Sequence, residues 1–216
     1  MRAISVSVGP LASAANNNIA TSQTLAAAGA LNLNGTLASG GVATLDTPRR
    51  ILIHSTGNDT SLTWTIVGTN WAGNAISETI AGANNGDAAP VLDYLTVTSI
   101  TGNKAAAANV YVGTTTIAAS PWVRFDEWAM PAAGAQFQVT GTANFTFQAS
   151  NDDPNSLINS VSPYSMVWDS SISPAVGVTA NMTITMPSAP LWGRVLLNSG
   201  TGSVKGVFTQ YYQTAV

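Results

Sequence analysis

The sequence contains no cysteine, few charged side chains and one histidine. Without cysteine there are no disulfides, thiolate metal sites or cysteine nucleophiles. Charged residues make up 8 % of the 216 residues, whereas about 25 % is usual in soluble proteins. The net charge is −3 and the few basic residues are scattered. Because no basic stripe could follow a phosphate backbone, we do not expect nucleic-acid binding.

Long apolar runs are also missing. Gly and Asn interrupt every apolar stretch before it reaches the roughly 18 residues that span a membrane. The N-terminus, MRAISVSVGPLASAANNN, has one Arg and a broken apolar stretch, which is unlike a secretory signal. We therefore expect a protein that crosses no membrane and is made in the cytoplasm.

The sequence is instead rich in short alternating segments, and 45 % of its residues are hydrophobic. In SLTWTIVGTNWAGNAISETI (residues 61–80), Leu62, Trp64 and Ile66 fall on one face of a strand. The turn residues that follow predict a hairpin with Trp71 at its tip. Similar patterns predict hairpins at AQFQVTGTANFTFQAS (135–150) and at LWGRVLLNSGTGSVKGVFTQ (191–210).

The spacing of turn signals, about every ten residues, predicts an all-β protein of antiparallel β-sandwich architecture. We predict three regions. Residues 1–42 form an extended N-terminal arm with short strands, residues 43–119 a β-sandwich, and residues 120–216 a second, jelly-roll-like sandwich. In the arm, Ile4, Val6 and Val8 alternate, so this strand could add to the sheet edge of a neighbouring subunit.

Candidate catalytic groups are few. His54 lies in RRILIHST without a nucleophile motif nearby, which favours a strand histidine over a catalytic base. Adjacent carboxylates occur as Asp126 with Glu127 and as Asp152 with Asp153. Neighbours on an extended strand point to opposite faces, so the first pair should not converge as a glycosidase pair would. The loop at 151–155 lacks the spacing of a calcium loop. We predict no enzyme, no metal and no cofactor.

The aromatic residues carry the remaining information. Trp71, Trp122 and Trp128 lie in loops or at strand ends, where an indole is often half-exposed. Such residues pack a sheet edge, anchor a protein interface or stack on a sugar ring. These three tryptophans, with the alternating residues of the arm, are the candidate interface residues.

Several segments, taken in their order along the chain, resemble those of a known protein family. These segments are ISVSVGPLA, VATLDTPRRILIHSTGND, LTWTIVGTNWAGNAISETIAGANNG, VLDYLTVTSITGNKAAAANVYVG, SPWVRFD and LWGRVLLNSGTGSVKGVFTQ. In these the chain resembles a family of tailed-bacteriophage virion structural proteins encoded among the head genes. The resemblance covers most of the chain and includes no catalytic signature.

This resemblance implies a capsid decoration, or cement, protein that binds the assembled head and bridges subunits of the major capsid protein. We expect a homodimer or homotrimer on the capsid surface of the virion. The alternative is a tail or head-fibre component that binds host glycan through exposed Trp71 or Trp128. A depolymerase is a third, weaker hypothesis.

Overall fold

The computed structural model describes residues 2–126 and 132–210. All regular structure in these residues is β, so the predicted antiparallel all-β class is confirmed. No helix there is long and apolar enough to cross a bilayer. The strands are β1 (Arg2–Val8), β2 (Ala20–Thr24), β3 (Gly29–Ala30), β4 (Ala38–Ser39), β5 (Val42–Asn58), β6 (Thr63–Thr69), β7 (Ala75–Ala81), β8 (Asn84–Ala88), β9 (Tyr94–Gly102), β10 (Asn109–Ala119), β11 (Val123–Arg124), β12 (Ala133–Thr140), β13 (Ala143–Ser150), β14 (Met182–Met186), β15 (Trp192–Gly200) and β16 (Ser203–Gln210).

The chain divides into two compact units. One, here called the continuous unit, is residues 12–118; the other, the two-segment unit, combines residues 1–11 with residues 119–216. The chain leaves the continuous unit after residue 118, one residue before the boundary expected from the sequence. The expected boundary at residue 42 has no counterpart, because the chain changes unit at residue 12 instead.

The continuous unit is built on a sheet with strand order β10-β5-β9-β6-β7. The predicted hairpin at residues 61–80 is present: β6 pairs with β7 from Thr63↔Ala81 to Thr69↔Ala75. Trp64 is fully buried between Leu62 and Ile66, as their alternation predicts. Hydrophobic residues from β5, β6, β9 and β10 complete this core.

Residues 12–42, expected to be an extended arm, are part of the continuous unit. The β2 strand pairs with β10, and β3 pairs with β9. Four large hydrophobic side chains of this segment lie in the core: Ile19, Leu25, Leu31 and Leu33. Burial of these side chains, at about 1.5–3 kcal/mol each, explains why the segment packs rather than extends.

The two-segment unit is a sandwich of two sheets. One has the order β1-β16-β12-β14, and in the other β15 pairs with β11 and β13. Aromatic rings fill the space between the sheets. Phe137 of β12 contacts Phe145 and Phe147 of β13 at ring-centroid distances of 5.1 and 5.7 Å, and Phe208 of β16 contacts Phe147 at 5.6 Å.

The predicted hairpins at 135–150 and 191–210 are wrong in their pairing. In each case the chain turns from one sheet to the other, so β12 and β13 face each other across the core, as do β15 and β16. Alternation cannot distinguish the two arrangements, because inward-facing residues alternate in both. Gly141 and Gly200 adopt φ of 74° and 112° at the two turns, a backbone conformation that glycine reaches without strain.

Candidate functional site

The most exposed hydrophobic surface lies on the β13–β14 connection, residues 151–181. Five of the six large hydrophobic side chains that the described residues leave exposed belong to it: Leu157, Ile158, Tyr164, Val167 and Val176. Leu157 and Ile158 are 102 % and 89 % exposed. Neighbouring exposed aliphatic side chains of this kind are typical of interaction surfaces.

The C-terminal half of this connection is fixed along β13. Asp169 pairs with Ala149, and Val178 pairs with Phe145. In addition, the guanidinium of Arg194 lies 4.3 Å from the ring centroid of Trp168, a cation–π contact. These contacts hold the C-terminal half of the connection, whereas the exposed Leu157 and Ile158 lie in its N-terminal half.

Arg194 is itself held in place by a chain of hydrogen-bonded polar side chains. Its Nε donates to Gln148 Oε1 at 2.7 Å, and Gln148 Nε2 donates to Ser170 Oγ at 2.7 Å. Arg194 is 7 % exposed and Gln148 is 5 % exposed, so the bond between them forms where water competes little. The chain of contacts ties the connection to both β13 and β15.

A groove of about 550 Å³ runs between the connection and the β14 end of the sandwich. Its walls combine apolar and oxygen-bearing side chains, including Met186, Val167, Asp152 and Asp169, and none of the described residues that line it is basic. Asp152 Oδ2 accepts the Val167 N–H at 2.6 Å. Hydrogen bonds from the side chain and backbone of Ser171 lower the pKa of Asp169. The groove therefore presents a carboxylate beside an apolar wall.

Trp122 is half-buried in a cluster of three indoles. Its ring centroid is 5.1 Å from that of Trp168 and 6.2 Å from that of Trp192. Arg124 lies 5.8 Å from the centroid of Trp192. Trp122 thus packs against the base of the connection. Trp128, its sequence neighbour among the candidates, lies outside the described residues.

Trp71 is half-buried in the turn between β6 and β7. The side chain of Asn70 closes this turn, because its Oδ1 accepts the N–H groups of Ala72 at 2.9 Å and of Asn74 at 3.0 Å. Gly73 completes the turn with a φ of 80°. The indole is at the predicted tip of the hairpin, on a turn that is fixed by its own hydrogen bonds.

The N-terminal strand pairs within its own chain. Ile4 lies opposite Phe208, Val6 opposite Gly206 and Val8 opposite Val204, all in β16. Val8 is buried, and Ile4 and Val6 are half-buried. This strand therefore forms the edge of its own sheet, with β16 on one side, and its addition to a neighbour's sheet stays a prediction.

His54 lies between Asp87 and Tyr111 in a row of three side chains on neighbouring strands of the continuous unit. Its Nδ1 donates to Asp87 Oδ1 at 2.7 Å, and its ring stacks on Tyr111 with centroids 4.4 Å apart. No hydroxyl or thiol nucleophile bonded to His54 is found among the described contacts. In the same residues no group of three or more His, Cys, Asp or Glu side chains could hold a metal ion.

Comparisons with protein-family models, with curated proteins and with solved structures found no match to the chain. Arguments about function therefore depend on its own residues.

Sequence reasoning missed two features. The segment NSLINSVSP has the composition of a turn-rich loop, and the only signal of an interaction surface was the adjacent Leu157 and Ile158 between Pro154 and Pro163. No local sequence pattern indicates the row of Asp87, His54 and Tyr111, because these residues lie on strands that are far apart in the sequence.

Proposed function

We propose that this chain is a non-enzymatic bacteriophage virion structural protein, a decoration protein that binds the assembled head and bridges subunits of the major capsid protein. The observation that carries the proposal is the exposed apolar surface of the β13–β14 connection. Two nearly fully exposed aliphatic side chains, Leu157 and Ile158, lie there side by side. The resemblance to virion proteins specifies the partner.

The energetics of these side chains favour a docking role. Burial of a Leu or Ile side chain is worth about 1.5–3 kcal/mol, so both together could supply about 3–6 kcal/mol to an interface. A few buried anchors of this kind carry most of the binding energy of typical interfaces. Low surface charge also suits a protein whose contacts are made by hydrophobic and neutral polar groups.

The groove beside the connection supports a specific kind of contact. A partner segment that places an apolar side chain against Val167 and Met186 could set a basic group near Asp152 or Asp169. Such a segment would dock on one edge of the two-segment unit. Symmetric self-association as a dimer or trimer would repeat this contact around a capsid axis.

The test is binding to heads that lack this chain. The double variant Leu157→Ser/Ile158→Ser should fold normally but bind heads at least about tenfold more weakly, which corresponds to about 1.4 kcal/mol. The matched control is Val91→Ser, because Val91 is 65 % exposed but lies in the continuous unit. This control should bind like the wild type in a co-sedimentation assay.

Localisation in the virion tests the proposal directly. Cryo-electron microscopy should show this chain in stoichiometric copies on the outer surface of the head, with residues 151–181 against the major capsid protein. Its presence in the tail, or its absence from the particle, would overturn the proposal.

A further inference from the structure

Tyr111 stacks on His54, and His54 is in turn bonded to Asp87. It faces His54 across the β10–β5 pair, and His54 faces Asp87 across the β5–β8 pair. The Tyr111 and His54 rings are nearly parallel, with an interplanar angle of 13°. Since Asp87 in turn bonds to His54, the tyrosine ring rests on a support that is itself fixed.

The other face of Tyr111 is directed toward an open depression. The β5 and β2 strands flank β10 on opposite sides, so the ring face that His54 leaves uncovered is on the β2 side. There a depression of about 390 Å³ is lined by Asn16, Asn17, Ser22 and Tyr111. This volume lies within the range of small-ligand sites.

The polar wall of the depression is fixed before any ligand arrives. The Ala15 carbonyl oxygen accepts the Thr114 N–H at 2.9 Å, and Asn18 Nδ2 donates to Thr114 Oγ1 at 2.8 Å. A side chain at Gly113 would overlap the Ala15 carbonyl, so glycine lets residues 15–18 lie directly against β10. Asn16 and Asn17 therefore lie between two residues, Ala15 and Asn18, that are hydrogen-bonded to Thr114 of β10.

We propose that this depression binds a neutral saccharide. A sugar ring presents an apolar C–H face and a rim of hydroxyl groups, which match an aromatic face and neighbouring amide and hydroxyl groups. No Lys or Arg is among its described lining residues, so phosphate-bearing ligands are disfavoured. Its described lining residues do not include Trp71, one of the two residues that the sequence suggested for glycan binding.

This inference goes beyond the decoration role and does not depend on it. A decoration protein with a saccharide site could hold a particle near a glycan-rich surface, but the site is testable on the isolated full chain. Head binding depends on Leu157 and Ile158, whereas sugar binding depends on Tyr111. The two proposals can therefore fail separately.

The experiment is a saturation-transfer and chemical-shift NMR titration of the full chain. The probes are the methyl glycosides of glucose, galactose, mannose and N-acetylglucosamine, each at about 20 mM, which would fill a millimolar site. At least one glycoside should shift the Tyr111 ring signals and the Asn16 and Asn17 side-chain amides. Tyr111→Ala should abolish the response, and Tyr111→Phe should retain it within about threefold.

Two further variants separate binding from folding. Ser22→Tyr fills the depression from an exposed position, so it should abolish the response while the chain remains folded. His54→Ala removes the support behind the ring and should weaken binding several-fold. His54→Phe keeps a stacking ring without the bond to Asp87, and should restore most of the affinity if His54 is a positioning residue.

Three results would overturn the proposal. One is no response to any of the four glycosides. Another is an unchanged response in the Tyr111→Ala and Ser22→Tyr variants. The third is equal or stronger binding of adenosine at the same residues, which would make the ring a platform for nucleobases rather than for sugars.

Discussion

The two units treat their hydrophobic residues differently. In the continuous unit, residues 12–118, only Val91 is a large hydrophobic residue left exposed among the described positions, whereas the β13–β14 connection of the two-segment unit exposes five. The continuous unit connects its strands by short turns. The two-segment unit interrupts its sandwich with residues 151–181. The continuous unit therefore buries nearly all of its large hydrophobic side chains, whereas the two-segment unit presents an apolar surface that a partner could bind.

This difference shows that apolar residues can have different roles in segments of similar composition. Apolar residues in alternating strands are buried by folding, but apolar residues in a long connection remain available for an interface. The exposed group is concentrated in one connection rather than scattered over the surface. Variants in the two regions should therefore separate stability from binding.

The largest effect is expected at the centre of the continuous unit. Trp64→Ala should lower the free energy of unfolding by about 3–5 kcal/mol, because Trp64 is completely buried and its removal leaves a cavity. Urea unfolding measures the change. Leu157→Ser, the control in the connection, should stay within about 0.5 kcal/mol of the wild type. Equal losses in both variants would contradict the contrast between the regions.

Arg49 should give the next largest effect. It is 1 % exposed, and its guanidinium donates to the carbonyl oxygens of Ala12 at 3.0 Å and Thr115 at 2.6 Å and to Asp46 at 3.1 Å. Arg49→Met leaves these acceptors without their donors and should cost about 2–4 kcal/mol.

Hydrogen exchange in Arg49→Met should show faster exchange near Ile19, because the start of the continuous unit loses a tether. Lys104→Met is the matched control, since Lys104 is exposed and donates to Ser61 Oγ at 2.7 Å. It should change stability by less than about 1 kcal/mol. Slow exchange near Ile19 in Arg49→Met would show that the tether is dispensable.

We expect Tyr94 to make the continuous unit less stable at alkaline pH. Burial, with a smaller contribution from Glu78, raises the pKa of Tyr94. The unfolded chain ionises this tyrosine near its ordinary pKa of about 10, whereas the folded chain resists ionisation. Stability should therefore be complete below that pH and decrease as the pH rises above it.

Tyr94→Phe should reduce this alkaline loss. At neutral pH it should leave stability unchanged or raise it by up to about 1 kcal/mol, because the buried hydroxyl has no hydrogen-bond partner among the described residues. Unfolding measured between neutral and strongly alkaline pH tests both statements. Tyr164→Phe, in the exposed connection, should keep the wild-type loss.

The smallest effect is expected at Asp169 of the two-segment unit. Hydrogen bonds from Ser171 lower the pKa of this exposed carboxyl, so its small stabilising effect is present at neutral pH and is lost as the pH falls through the lowered value. Ser171→Ala should return the pKa toward its ordinary range. Carbon NMR titration of the carboxyl measures this, with Ser165→Ala as control. An identical titration in both variants would contradict the assigned cause.

The strand content and one hairpin could be predicted from the sequence. At 61–80, alternation and the Asn70 and Gly73 turn residues agree with the observed pairing, because the local turn determines that register. At 135–150 the same signals were present, yet β12 and β13 join different sheets. The pairing there depends on Phe137, Phe145 and Phe208, which meet only when the sheets are assembled.

The contacts at the candidate sites were harder to predict from the sequence than the strands. Trp122 was recognised as a loop aromatic, but its partners Trp168 and Trp192 come from distant segments. Tyr111 and His54 had no special local pattern. Their relation depends on strand register, which one sequence does not specify when the pairing strands are far apart.

The sequence by itself determined the chemistry available to this protein. Missing cysteine excludes disulfides, scarce charge gives a surface with few charged groups, and alternating apolar residues favour β-strands, because these properties are local to each residue or segment. Tertiary structure decided which residues meet and which remain exposed. It placed Ile19, Leu25, Leu31 and Leu33 in a core, stacked His54 on Tyr111 and left Leu157 and Ile158 exposed, since burial depends on contacts between distant segments.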